Sequence, residues 1–189
     1  MLGEKTPMTY YVDFYAEQAF LAFVKKSISM KPTDDDEMVQ IGAVSVLACA
    51  AALEAMVNFL YKEDGRLPHF DELRLTSKID TIAHLTHNSI DWGTQPWQDV
   101  ARLITMRNWL AHYKDPNIGL LGSARGGWVD DGINKPPKID PFQELSSPSI
   151  KHFYKATRLG LKELCSFFSI DPMFIEFLDT EDYEPFAIG

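Results

Sequence analysis

Between Val39 and Tyr61 the sequence carries a single formally charged residue, Glu54, in a run otherwise built, apart from Gln40 and Asn58, of aliphatic, aromatic and small side chains. A helix that is apolar on every side must be buried on every side, either as the central member of a bundle or as a membrane span. A span needs about 20 consecutive apolar residues. This run is interrupted by Glu54 and Asn58, follows Asp34, Asp35 and Asp36, and has no second candidate span beside it. The pattern therefore favours a protein core, and no membrane partner is expected. Ala48, Ala50, Ala51, Ala52 and Ala55 call for close approach of neighbouring helices. We expect a central helix from about Asp36 to Lys62, its preceding aspartates capping the free N–H groups of its first turn.

The flanking segments read as further helices. Tyr11, Phe14, Tyr15, Ala19, Leu21 and Ala22 recur at helical spacing between Tyr10 and Ser29, and Pro32 closes that segment. After a turn at Gly65 and Pro68, a third helix is expected from about Phe70 to His87, with Leu73, Ile79, Ile82, Ala83 and Leu85 as its core stripe. Thr94-Gln95-Pro96 has the form of a helix start, and a fourth helix should run from Pro96 to about Lys114, where Pro116 ends it. From Asp115 to Pro148 the chain places five of its eleven glycines and five of its eleven prolines, so a long irregular loop is expected there. A fifth helix follows from Ser147-Pro148, and an acidic, aromatic tail occupies about 172–189. The 189 residues leave room for one domain, an all-α bundle of four or five helices.

Charge narrows the choice of partners. Twenty-seven acidic against eighteen basic residues give a net −9, which excludes sequence-blind coating of nucleic acid by a broad basic surface. Any such contact must be local. The least acidic stretch is 97–138, where Arg102, Arg107, Lys114, Arg125, Lys135 and Lys138 face Asp99, Asp115, Asp130 and Asp131. Cys49 and Cys165 lie in apolar helical patterns without the paired spacing of a zinc or redox site, and they read as core thiols. The first residues lack the features of a secretory signal, so a cytoplasmic location is expected. His84 and His87 are three apart, with His69 upstream, but no cysteine joins them; neither a metal nor a cofactor is expected.

The fourth helix carries the chemically informative residues. At about 100° per residue, its apolar stripe comprises Trp97, Val100, Ala101, Ile104 and Ala111, and Arg107 and Asn108 share that face while His112 borders it. Polar groups in core positions are costly unless paired. Asn108 and His112, four apart, can meet on the helix surface. Arg107 and His112 are five apart, about 140° round the helix. One reading makes Arg107 a structural cation neutralised by Glu54, with Asn108 and His112 completing a polar layer. A second apolar set, Leu103, Met106 and Leu110, faces away from the first. It is available either to a two-fold partner or to the fifth helix.

The block Arg107-Asn108-Trp109-Leu110-Ala111-His112 resembles the Arg-x4-6-His signature of the HEPN superfamily, including the polar residue after the arginine that its nuclease members favour. The segment Ala51–Asn58 is similar to the Leu/Ile-Glu-Ala segment on an earlier core helix of HEPN-like proteins, and Lys78-Ile79 fits their third helix. The likeness covers about Asp35 to Lys114, and the fifth helix as architecture only. The resemblance implies an up-and-down bundle, a homodimer and, in active members, a metal-independent endoribonuclease of toxin–antitoxin or antiviral defence type. It assigns catalysis to Arg107 and His112, in a cleft where two subunits meet.

That assignment agrees with the chemistry of RNA, which carries its own nucleophile in the 2′-hydroxyl. An enzyme then needs an acid or base near neutral pH, as His112 can be, and a cation for the charged phosphorane, as Arg107 can be. Asn108 is expected to orient His112 or contact phosphate, and Glu54 to brace Arg107. Arg102, Trp109, Tyr113 and Lys114 are candidate RNA contacts, the aromatics by stacking on unpaired bases. The alternative is a catalytically silent HEPN-like module that binds RNA, a nucleotide or a protein such as an antitoxin.

Overall fold

The computed structural model describes residues 8–62, 67–112 and 145–170, with side chains described over 16–61, 67–111 and 145–170. These residues form five α-helices, α1 (Met8–Ser29), α2 (Asp35–Lys62), α3 (Leu75–Leu85), α4 (Trp97–His112) and α5 (Ser147–Phe167), with a one-turn 3-10 helix at Phe70–Glu72. Among the described residues there is no strand. The described fold is all-α. Most of the irregular stretch expected over 115–148, and the tail at 172–189, lie outside the described residues, as do Tyr113 and Lys114.

Helix α2 is the hub, packing against all four other helices. Its start is fixed by polar side chains: the Glu37 amide donates to Asp34 Oδ1 at 2.8 Å, and Glu37 Oε2 accepts from the Thr33 amide at 2.6 Å and its hydroxyl at 2.8 Å. These bonds satisfy N–H groups that the first turn leaves open, and the Thr33 bonds hold the Glu37 carboxyl below its ordinary range. From Gly42 to Leu60 most side chains are buried, including Val46, Cys49, Leu53, Met56 and Val57. One described helix, α2, is long and apolar enough to cross a membrane, and most of it is buried within the bundle.

Contacts fix the direction of the packing. The short link after Ser29 folds α1 back against α2. Along the α4–α5 seam, the Trp97 indole N–H donates to Glu163 Oε2 at 2.9 Å, Val100 lies near Gly160, and Arg102 lies 6.0 Å from the centre of the Phe153 ring. Rising numbers on α4 meet falling numbers on α5, so these two helices are antiparallel. Gly42 meets Leu145 and Cys49 meets Thr157, which makes α2 and α5 run the same way.

The structure corrects several local expectations. The single helix expected over Phe70–His87 is two pieces, because Leu73 and Arg74 are extended between the 3-10 turn and α3. The break lets Phe70 turn inward and stack on Tyr61 at 3.7 Å between ring centroids. Helix α3 ends at Leu85, where His87 takes a left-handed conformation (φ 60°) and the Asn88 amide closes onto Ala83 O at 2.8 Å. The second apolar set of α4 is not a free face: Leu103 and Met106 are buried within the chain and Leu110 is half-buried. Helix α4 is wedged among α2, α3 and α5 and so buries a wide arc. Ala111, placed by periodicity on the core stripe, is exposed near the end of α4.

Candidate functional site

Glu54 lies on the outer face of α2, on the same side as exposed Val44 and Leu47. Two neighbouring helices bring a cation to it. From α3, the Lys78 ammonium approaches Glu54 Oε1 at 3.2 Å and donates to Asn58 Oδ1 at 3.0 Å. From α4, Arg107 Nη2 stands 3.6 Å from Glu54 Oε2, an ion pair longer than a hydrogen bond. Arg107 Nη1 donates to Asn108 Oδ1 at 3.1 Å. Asn108, Arg107, Glu54, Lys78 and Asn58 thus form one connected polar chain that crosses three helices.

Burial differs sharply along this chain. The Lys78 side chain is 3% exposed, whereas those of Glu54 and Arg107 are each 35% exposed. Lys78 occupies the core face of α3 with Leu75, Ile79 and Ile82, and its ammonium lies 5.6 Å from the centre of the Phe70 ring. A charge so deeply placed must be answered from within the protein, and Glu54 and Asn58 do this. Two formal positive charges share one carboxylate, which leaves a net charge of +1. The excess sits at the exposed end, on Arg107.

The sequence-predicted residues divide accordingly. Arg107, Asn108 and Glu54 are brought together. Asn108 gives its carbonyl oxygen to Arg107; the expected Asn108–His112 pair falls on a side chain outside the described residues. His112 is the last residue of α4, about 7.5 Å further along the axis than Arg107 by helical rise; its side chain lies outside the described residues. Arg102 is turned toward the α5 seam, with Nη1 3.1 Å from Asp99 Oδ1 and its guanidinium over Phe153. Trp109 is half-buried against the core. The residue that sequence reasoning missed as part of the site is Lys78. Its signal was a lysine at the i+3 position of the stripe Leu75, Lys78, Ile79, Ile82, where helical spacing calls for an apolar side chain.

Elsewhere, the expected histidines have separate settings. His69 Nδ1 pairs with Glu72 Oε1 at 2.9 Å, and His87 occupies the left-handed residue that closes α3. His84 lines a cleft of about 600 Å³ on the outer side of α3, together with Asp80, Thr81 and Ile90, and this cleft includes none of the α4 motif residues. Among the described residues no three His, Cys, Asp or Glu side chains gather as a metal site. Cys49 and Cys165 are free and buried, and burial pushes both thiols up to about 12; the Glu17 charge adds to the rise at Cys165. Comparison with family models, curated proteins and solved structures finds no match for this chain.

Proposed function

We propose that the protein is a HEPN-like, metal-independent endoribonuclease of toxin or defence type, acting in the cytoplasm as a homodimer and held in check by an antitoxin or other partner protein. The observation that carries the reading is the charge imbalance at Arg107. A guanidinium one-third exposed, beside a carboxylate it shares with a buried lysine, is a cation with capacity left for a phosphate. In this mechanism the RNA 2′-hydroxyl attacks the adjacent phosphorus, His112 moves the protons, and Arg107 stabilises the charge of the phosphorane. The 5′-oxygen of the next nucleotide leaves, and a 2′,3′-cyclic phosphate remains. Asn108 fixes the guanidinium through its carbonyl oxygen.

The same connected network also favours a second reading, in which the polar chain ties α2, α3 and α4 together in a catalytically silent RNA-, nucleotide- or protein-binding module. Incubation of wild-type, Arg107→Ala and His112→Ala proteins with mixed RNA in excess EDTA separates the two. The ribonuclease reading expects EDTA-resistant cleavage with 2′,3′-cyclic ends in the wild type, at least about 100-fold slower in either variant, as removal of an acid–base group or charge stabiliser predicts. Thermal stability of the Arg107→Ala variant should stay near that of the wild type, because Arg107 is partly solvated. No cleavage by any of the three, with the fold intact, establishes the silent module.

A further inference from the structure

The distribution of charge around Glu54 assigns a role to Lys78 that concerns Arg107 rather than the bundle. We propose that Lys78 is a positioning residue: it holds the Glu54 carboxylate away from full pairing with Arg107 and so keeps the Arg107 guanidinium available to an RNA phosphate. This inference rests on the RNA reading of the site.

The argument starts from the competition for one carboxylate. Glu54 reaches Lys78 at 3.2 Å and Arg107 at 3.6 Å, so the lysine has the shorter contact. Lys78 is also almost wholly out of water, where an ion pair is less screened and an unanswered charge is more costly. Asn58 adds a second oxygen to the ammonium at 3.0 Å and so fixes it in place. Arg107, by contrast, keeps access to solvent and is tied sideways to Asn108. The balance of burial therefore commits Glu54 to Lys78 first. Without the lysine charge, the carboxylate has one cation left, and the planar fork of Arg107 is built to take a carboxylate through two parallel bonds. A guanidinium neutralised in that way is a poorer phosphate ligand.

The test uses the full chain and a mixed-sequence 2′-O-methyl oligonucleotide, which has phosphates but no free 2′-hydroxyl to be cut. Lys78→Met should fold, because methionine fits an apolar site of similar length and the Glu54 carboxylate it leaves behind still reaches water; Lys78→Gln is the second neutral variant. Affinity is expected to fall about tenfold in Lys78→Met, the order of one charge-assisted contact. It should return to within about twofold of wild type in the double variant Glu54→Gln/Lys78→Met, where no carboxylate remains to capture the arginine. In an Arg107→Ala background, Lys78→Met should have no further effect, whereas a merely structural lysine would still weaken binding there.

The NMR signal of the Arg107 Nε–H, recorded without ligand, reads the pairing directly. It is expected to shift in Lys78→Met and to revert in the double variant. If Arg107→Ala weakens binding but Lys78→Met changes neither affinity nor this signal, the positioning role is overturned and the RNA reading survives. If the signal shifts and reverts as expected while Arg107→Ala leaves binding unchanged, the exchange of partners stands and its role toward RNA is overturned.

Discussion

The two cysteines show how burial decides what a titratable side chain can do in this bundle. Cys49 faces the Thr157 hydroxyl and Cys165 lies near buried Glu17, yet desolvation is the largest influence on both and pushes each thiol up to about 12. A thiol ionises near 8.5 in an unfolded chain. Between those values the unfolded state gives up protons that the folded state retains, so stability is full below the unfolded value and is lost as pH rises. The loss is about 1.4 kcal/mol per pH unit per thiol, or about 2 kcal/mol per thiol between pH 8 and pH 10. Urea unfolding at the two pH values should show this slope in the wild type. It should be missing from the double Cys49→Ala/Cys165→Ala variant, after allowance for the cavities the substitutions create. Equal slopes in both proteins would mean that other groups govern the alkaline limb. Neither thiol is a nucleophile on this account.

At the scale of elements, two glycines in helices predict opposite outcomes. Gly42 of α2 lies against the Leu145 backbone: an added Cβ would stand 2.9 Å from Leu145 Cβ and closer still to its carbonyl oxygen. Gly160 of α5 has ordinary room, its nearest neighbours being the Trp97 ring at 3.5 Å and Val100 at 3.7 Å. Alanine improves helix propensity by about 1 kcal/mol over glycine at either position. At Gly160 that gain should survive and raise the melting temperature by about 3 °C, the scaling for a chain of this size. At Gly42 the backbone of Leu145 must shift, so Gly42→Ala should lower the melting temperature, and a scan of the two variants decides the signs. This close contact joins elements separated by the whole of α3 and α4, and no local pattern in the sequence announces it. The end of α1 and the starts of α2, α4 and α5 were legible because Pro32, the aspartates at 34–36, Pro96 and Pro148 mark them. The split of the third helix was not, since the stacking of Phe70 on Tyr61 that goes with it is a tertiary contact.

For the molecule as a whole, the apolar run from Val39 to Tyr61 made the central position of α2 readable, and Glu54 within it pointed to a buried polar tie. Half of that tie was visible in advance: Arg107 and Asn108 stood out against the periodicity of α4. Lys78 did not, because one lysine in a short amphipathic helix usually extends to solvent along its aliphatic stem. Only the packing of α3 over Glu54 and Asn58 turns it inward. On the proposed RNA reading, the whole-chain charge sets how strongly such a site would hold its ligand. With a net −9 and a single excess positive charge in the connected cluster, the protein attracts a polyanion only locally. A single strand contacted at about three phosphates releases few counterions, and the logarithm of its affinity should fall with the logarithm of salt concentration with a slope near −2. Titration of the 2′-O-methyl oligonucleotide between about 50 and 200 mM salt measures it. Arg107→Ala should make the slope shallower by close to one contact, about 0.7. A slope steeper than about −5 would require a basic track of seven or more phosphate contacts, and the site would then have to extend well beyond the cluster centred on Glu54.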